Sequence, residues 1–172
     1  MARLAMTLAL YTGQRRGDLI KLGEQHIQVH DGQEGFDLTQ QKNSQRRKSG
    51  ANPVRLWIPI VPDLRDILDA SPKGGSTFMQ SEFGKPFTSD GFGNRFRKWC
   101  NEAGLENRSI HGLLKTASAM LAQSGCTEQE IMAITGHRTS KEVIRYTRSA
   151  SQKVRAANAM QKLSVDERRN AE

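Results

Sequence analysis

Between His111 and Tyr146 the sequence HGLLKTASAMLAQSGCTEQEIMAITGHRTSKEVIRY permits little besides short helices separated by polar turns. Thr127-x-x-Glu130 is a capping box, in which each partner's side chain satisfies the other's backbone N–H, and the apolar run Ile131 to Ile134 follows it at once. Gly136 stands where a helix stops, which places His137 just past a helix C-terminus. Thr139-x-x-Glu142 reads as a second capping box, opening a helix that carries Val143, Ile144 and Tyr146. His111, His137 and Tyr146 therefore fall at the ends or edges of three consecutive helices, where short connections allow one pocket.

The rest of the chain limits what such a pocket can meet. With 172 residues it is long enough for one domain with a real core. A net charge of +8 suits a polyanionic partner, either nucleic acid or an anionic surface. No stretch is apolar enough to span a bilayer. The apolar start from Met1 to Tyr11 runs into a helix stop at Thr12-Gly13 and lacks the basic region and cleavage site of a signal peptide. Cys100 and Cys126, the only cysteines, read as reduced thiols of a cytoplasmic protein.

In chain order, residues 2–11 form a buried helix. Arg15, Arg16 and Asp18 open a second helix reaching about Leu22; two arginines at a helix start are either a phosphate site or a solvated basic turn. Alternation then takes over: Ile27 and Val29, Phe36 and Leu38, and Val54, Leu56, Ile58 and Ile60, with Asp31-Gly32 and Gly35 as turn signals. This predicts a three-stranded antiparallel sheet. His26 and His30 are four apart, a ligand spacing on a helix, but in strand context they read as surface histidines. Lys42 to Gly50 lies between the second and third strands, either as a solvated hairpin tip or, the reading favoured by the overall charge, as a basic finger along a phosphate backbone. Pro62 starts a helix ending near Ala70. Ser89 or Asp90 caps a basic helix through Phe92, Phe96 and Trp99, with Arg95, Arg97 and Lys98 on its flanks; the aromatics read as core, with base stacking the lesser alternative, and Gly104 closes the helix. A last, weakly amphipathic helix spans 151–163, and the charged tail 164–172 frays. The fold class is α+β, mainly helical, with helices around a small three-stranded antiparallel sheet, in one domain over 1–163.

Several of these segments together resemble the catalytic domain of the tyrosine recombinases, the phage-integrase family. That family shows His-x-x-Arg, then Gly-His about two dozen residues on, then the nucleophilic tyrosine nine residues later. His111, Gly136-His137 and Tyr146 fit this spacing. The family's Thr-Gly-x-Arg-x-x-Glu/Asp is matched by Thr12-Gly13-Gln14-Arg15-Arg16-Gly17-Asp18, and its hairpin lysine by Lys42. Each motif is short; their order over residues 2–150 carries the resemblance. One position departs: Leu114 stands where the second arginine belongs. Lys115 beside it projects about 100° away on a helix, and Leu114 also extends the apolar stripe of Leu113, Ala117 and Leu121.

The resemblance implies the tyrosine-recombinase catalytic-domain fold and transesterification at a DNA phosphodiester. Tyr146 attacks phosphorus, releases a 5′-hydroxyl and leaves a 3′-phosphotyrosine that conserves the energy for rejoining. A phenol titrates near ~10, so its proton must leave during attack, and His111 suits general-base duty. Arg15 clamps the charge gathering on the non-bridging oxygens. Lys42 serves as general acid on the leaving oxygen, His137 hydrogen-bonds the phosphate, and Asp18 braces the site. Arg16, Arg46, Arg47, Lys48, Lys115 and Arg138 are the candidates for further DNA contacts. The resemblance implies no metal or cofactor. It implies double-stranded DNA as the partner, and self-association on DNA through 151–163. It also implies a bacterial or phage cytoplasmic setting at the nucleoid, and an N-terminal DNA-clamping domain absent from this chain. With Leu114 in place of arginine, cleavage is expected to be severely impaired. The alternative is a recombinase fold that only binds DNA. A third reading, an unrelated basic protein with metal-binding histidines and Cys126, is disfavoured because the spacing fits no standard zinc pattern.

Overall fold

The computed structural model of the protein describes residues 1–40, 53–72, 74–147, 156, 157, 159–161 and 163. Helix α1 (Ala2–Thr12) buries Leu4, Ala5, Leu8, Ala9 and Thr12, a helical stripe facing the core. It ends where Gly13 turns left-handed (φ 58°) and its N–H returns to Ala9 O at 3.0 Å. The next helix, α2 (Arg16–Leu19), is shorter than the sequence suggests. Lys21 and Leu22 continue it only as tightened turns before Gly23, and Leu22 O accepts from Phe78 N–H at 2.8 Å.

A 3-10 turn (Glu24–His26) leads into β1 (Ile27–His30), β2 (Gln33–Gln40) and β3 (Val54–Pro59), an antiparallel sheet in the order β1-β2-β3. The β1–β2 hairpin closes on Asp31 and Gly32, both at positive φ (51° and 78°), the twist that a two-residue turn requires. Phe36 pairs with Ile58 and Leu38 with Leu56, and all four are buried on one face. Gly35 is not a turn residue. It lies inside β2 opposite Pro59, where a Cβ would come within 2.5 Å of the Trp57 indole; the small residue makes room for that ring on the sheet's outer face. His26 precedes the strand instead of joining it, and its Nδ1 accepts from Gly23 N–H at 3.2 Å, while exposed His30 meets the Trp57 ring edge-on.

Pro62 does open α3 (Pro62–Asp69). The N-cap of α4 (Ser89–Glu102) is Thr88, one residue before the expected Ser89 or Asp90; its Oγ1 accepts from Gly91 N–H at 3.1 Å, which leaves Asp90 to pair with Arg16 at 3.0 Å. Phe92 and Phe96 are core, whereas Trp99 is half-buried under the Arg95 guanidinium. Then follow α5 (Ile110–Gln123), α6 (Glu128–Thr135) and α7 (Ser140–Thr147). The main core joins α1 to α4, the sheet and the start of α5. A second, smaller cluster of Ala122, Ile131 and Val143 fastens α6 and α7 onto the far half of α5. Residues 156, 157, 159–161 and 163 are helical. Residues 164–172 lie outside the described residues. Cys100 is buried and Cys126 half-buried, and the two are not joined by a disulfide. No helix among the described residues is long and apolar enough to cross a membrane.

Candidate active site

Two breaks in helical backbone build the site. The first follows α1: Gly13 reverses the chain, Gln14 is driven inward to 1% exposure, and Arg15 is extended (φ −69°, ψ 153°) as the N-cap residue of α2. The second follows α6, which ends in Thr135 with Gly136 left-handed at φ 69°. The Thr127–Glu130 capping box forms as the sequence indicates, with Thr127 Oγ1 accepting from Glu130 N–H at 3.2 Å. Near the start of α7, the Glu142 carboxylate accepts from the Arg138 N–H at 3.3 Å.

Gln40 at the end of β2 joins these two breaks. It shares the inward face of the strand with Phe36 and Leu38 but is polar, at 3% exposure. Its Nε2 donates to Gln14 Oε1 at 2.7 Å and to Thr135 O at 2.9 Å. Its Oε1 accepts from Arg15 Nη1 at 3.0 Å. Gln14 Nε2 in turn donates to Thr12 O (2.7 Å) and Ile134 O (2.9 Å). Every polar atom of both buried amides is thus matched.

Two cavities open beside this knot, and Arg15 lines both. One, about 470 Å³, is walled by Arg15, Arg16, Arg97, Ser109, His111 and Leu114 among others, with no acidic residue among the described residues of its lining. The other, about 290 Å³, is lined by Arg15, Gln40, Gly136, Arg138, Thr139 and Glu142. His111 lies in the first turn of α5, one residue past Ile110, and is exposed. Leu114, one turn on, is buried at 3% exposure, and its neighbour Lys115 is exposed, as the helical angle between them requires. The observed buried stripe of α5 is Ile110, Leu114, Ala117, Ser118 and Ala122, with Leu113 and Leu121 only partly covered.

His137 is buried at 6% exposure. Its Nδ1 lies 2.6 Å from Thr135 Oγ1, whose hydroxyl donates to Ile131 O at 2.7 Å. A hydroxyl has one proton, so while it is given to Ile131 O the ring contact is made by Nδ1–H. Asp18 is buried within α2, and its backbone N–H donates to Arg15 O at 2.9 Å. Tyr146 falls in the last turn of α7, nine residues after His137. Lys42, Arg46, Arg47 and Lys48 lie outside the described residues. Among the described residues no cluster of His, Cys, Asp or Glu has the arrangement of a metal site.

Sequence reasoning missed Gln14, Gln40 and Arg97. A signal existed for Gln40: it continues the inward positions of Phe36 and Leu38, where a polar residue must find buried partners.

Comparison with known proteins agrees with the sequence motifs. The phage integrase family matches residues 1–153. A shufflon-specific DNA recombinase of Escherichia coli is 28% identical over 143 residues, which is 81% of this chain and 33% of that protein. The chain therefore spans about a third of that relative's length. The XerH site-specific recombinase bound to a palindromic difH substrate superposes with a TM-score of 0.65 at 15% identity, covering 94% of this chain and 46% of that one. A lambda integrase dimer bound to a COC′ core site gives 0.65 at 23% identity, covering 87% and 43%. These two likenesses establish the fold: that of a tyrosine-recombinase catalytic domain.

Proposed function

The chain belongs to the phage integrase family, and from that premise we propose that it is the catalytic domain of a site-specific DNA recombinase that cleaves and rejoins strands through a 3′-phosphotyrosine on Tyr146. The observation that carries the reading is the convergence on Arg15. Its guanidinium lines the cavity holding His111 and also the one beside Gly136 and Arg138, although these residues come from three separate segments: the α1–α2 turn, α5 and the α6–α7 connection. A cavity with several cations and no acid among its described lining residues suits a phosphodiester.

In this reading Arg15 clamps a non-bridging oxygen of the scissile phosphate. His111 takes the phenolic proton as Tyr146 attacks, and Lys42 protonates the leaving 5′-oxygen. His137 hydrogen-bonds the phosphate, its ring held by Thr135, and Asp18 braces the backbone that presents Arg15. Arg16, Lys115 and Arg138, with Arg46, Arg47 and Lys48, meet flanking phosphates. The partner is duplex DNA, and copies associate on it through 151–163, of which the described residues Met160 and Leu163 are 64% and 59% exposed.

Leu114 favours a second reading. A buried leucine in the cavity wall offers no charge to the transition state, and losing one such donor costs on the order of 10²–10³ in rate. The chain would then bind DNA but cleave it very slowly. Covalent trapping on a nicked suicide duplex decides between them, comparing the chain with Leu114→Arg and with Leu114→Arg/Tyr146→Phe. An adduct from the arginine variant alone supports the recombinase, with Leu114 as its lesion. Binding without adduct from any variant supports the pure DNA-binding module. Ordinary adduct rates from the unaltered chain would refute the role given to residue 114.

A further inference from the structure

We propose that Gln40 is a positioning residue for Arg15, and that the Gln14–Gln40 pair aims the Arg15 guanidinium at the substrate phosphate. The inference rests on the phosphate-clamp reading of Arg15 given above. Its ground is the direction of the hydrogen bonds. A primary amide has two N–H donors on one side and a carbonyl oxygen on the other. Both donors of Gln40 are committed, to Gln14 Oε1 and to Thr135 O, so its oxygen is the end that meets Arg15. Gln14 is locked the same way, because its two donors go to Thr12 O and Ile134 O. Turning either amide over would set buried N–H against N–H and oxygen against oxygen. The pair therefore transmits one fixed polarity from the ends of α1 and α6 to the guanidinium, and each bond in such a chain strengthens the next.

The chemical type of the brace matters as much as its geometry. An amide oxygen orders a guanidinium without cancelling its charge. A carboxylate at the same point would neutralise it. Among the described residues no carboxylate pairs with Arg15, although Arg16, Arg55 and Arg65 each have one. The space is reserved for the amide as well: a Cβ on Gly136 would lie 2.4 Å from Gln40 Nε2.

Arginine side-chain NMR on the full chain reads the ordering directly, with the Arg15 signal identified by its loss in Arg15→Lys. Slow guanidinium rotation is expected to keep the Arg15 Nη signals separate in the starting chain and to be lost in Gln40→Met. In the Leu114→Arg background, single-turnover adduct formation should slow by about 100-fold in Gln40→Met, the scale of a misplaced clamp, with duplex affinity little changed. Gln40→Glu should also slow adduct formation, because its carboxylate cancels the clamp's charge. A merely structural glutamine would lower thermal stability on Gln40→Met and leave the Arg15 signals as they were; that result overturns the proposal. If Gln40→Met does not fold, the starting chain decides: averaged Arg15 Nη signals there overturn the proposal as well. If no chain forms an adduct, the recombinase chemistry fails, while the Arg15 signals still decide the brace.

Discussion

Gly136 carries two constraints at once. Its φ of 69° lies in the left-handed region, and the place of a Cβ is already taken by the Gln40 amide. The backbone alone costs an alanine roughly 1–2 kcal/mol there, and the collision must also displace Gln40 from Arg15. Gly136→Ala should therefore lower the urea midpoint and impair adduct formation in the Leu114→Arg background. Gly17→Ala, a glycine with nothing within 4 Å of its Cβ position and no positive φ, should be nearly neutral. Equal effects of the two alanines would show that the Gly136 contact is unimportant. The same pair of residues shows how far single positions can be read without coordinates. Gly136 was legible because a helix stop is local chemistry. Gln40 was not, because its partners are separated from it by 26 and 95 positions. Only folding reveals that its inward place on β2 is filled by polar contacts instead of apolar ones.

Helix ends and strand pairs are local enough to be read and tested separately. The α6 capping box was readable because both partners lie within one turn, and Thr127→Ala should cost about 1 kcal/mol of stability, measured by denaturant titration. By contrast Thr88, Ser89 and Asp90 all suit an N-cap, and the choice among them fell to tertiary demand: Asp90 reaches across to Arg16 on α2. In the sheet, alternation gave the three strands, but the register that sets Asp37 near Arg55 is a property of the folded hairpin. The hydrogen bonds from Arg55, Nε at 2.9 Å among them, hold the Asp37 carboxyl below its usual range. A carboxylate depressed in the folded state stabilises above its unfolded pKa of about 3.9, and that contribution disappears as pH falls through the folded value. Asp37→Asn should thus lower Tm slightly at neutral pH, with the gap to the parent closing under acid conditions. A gap that stayed constant with pH would place the effect of the substitution elsewhere than in the ion pair.

Across the molecule, the charge of +8 is unevenly committed. On the sheet and α3, cations are matched by acids: Arg55 with Asp37, and Arg65 with Asp69 and Glu34. Around the 470 Å³ cavity they are not: among the described residues its lining holds Arg15, Arg16 and Arg97 and no acid, and of the three only Arg16 is bonded to an outlying aspartate. Arg97 also lines a neighbouring cavity of about 530 Å³ together with Arg108 and Glu106, so cations continue past the site beside the α5 N-terminus, with one acid among them. A polyanion binding there releases counterions, and log K falls with log salt by about 0.9 for each phosphate neutralised on duplex DNA. Arg97→Ala should therefore weaken duplex binding similarly for all sequences and make the salt slope shallower by about 1. Arg55→Ala removes the same formal charge from the sheet, where Asp37 already holds it, and should leave the slope unchanged. Fluorescence anisotropy across a salt series measures both. Equal slopes for the two variants would mean that net charge alone draws the DNA. A change confined to Arg97→Ala would mean that the duplex lies along the surface Arg15 shares with His111, where the chemistry assigned to this domain requires it.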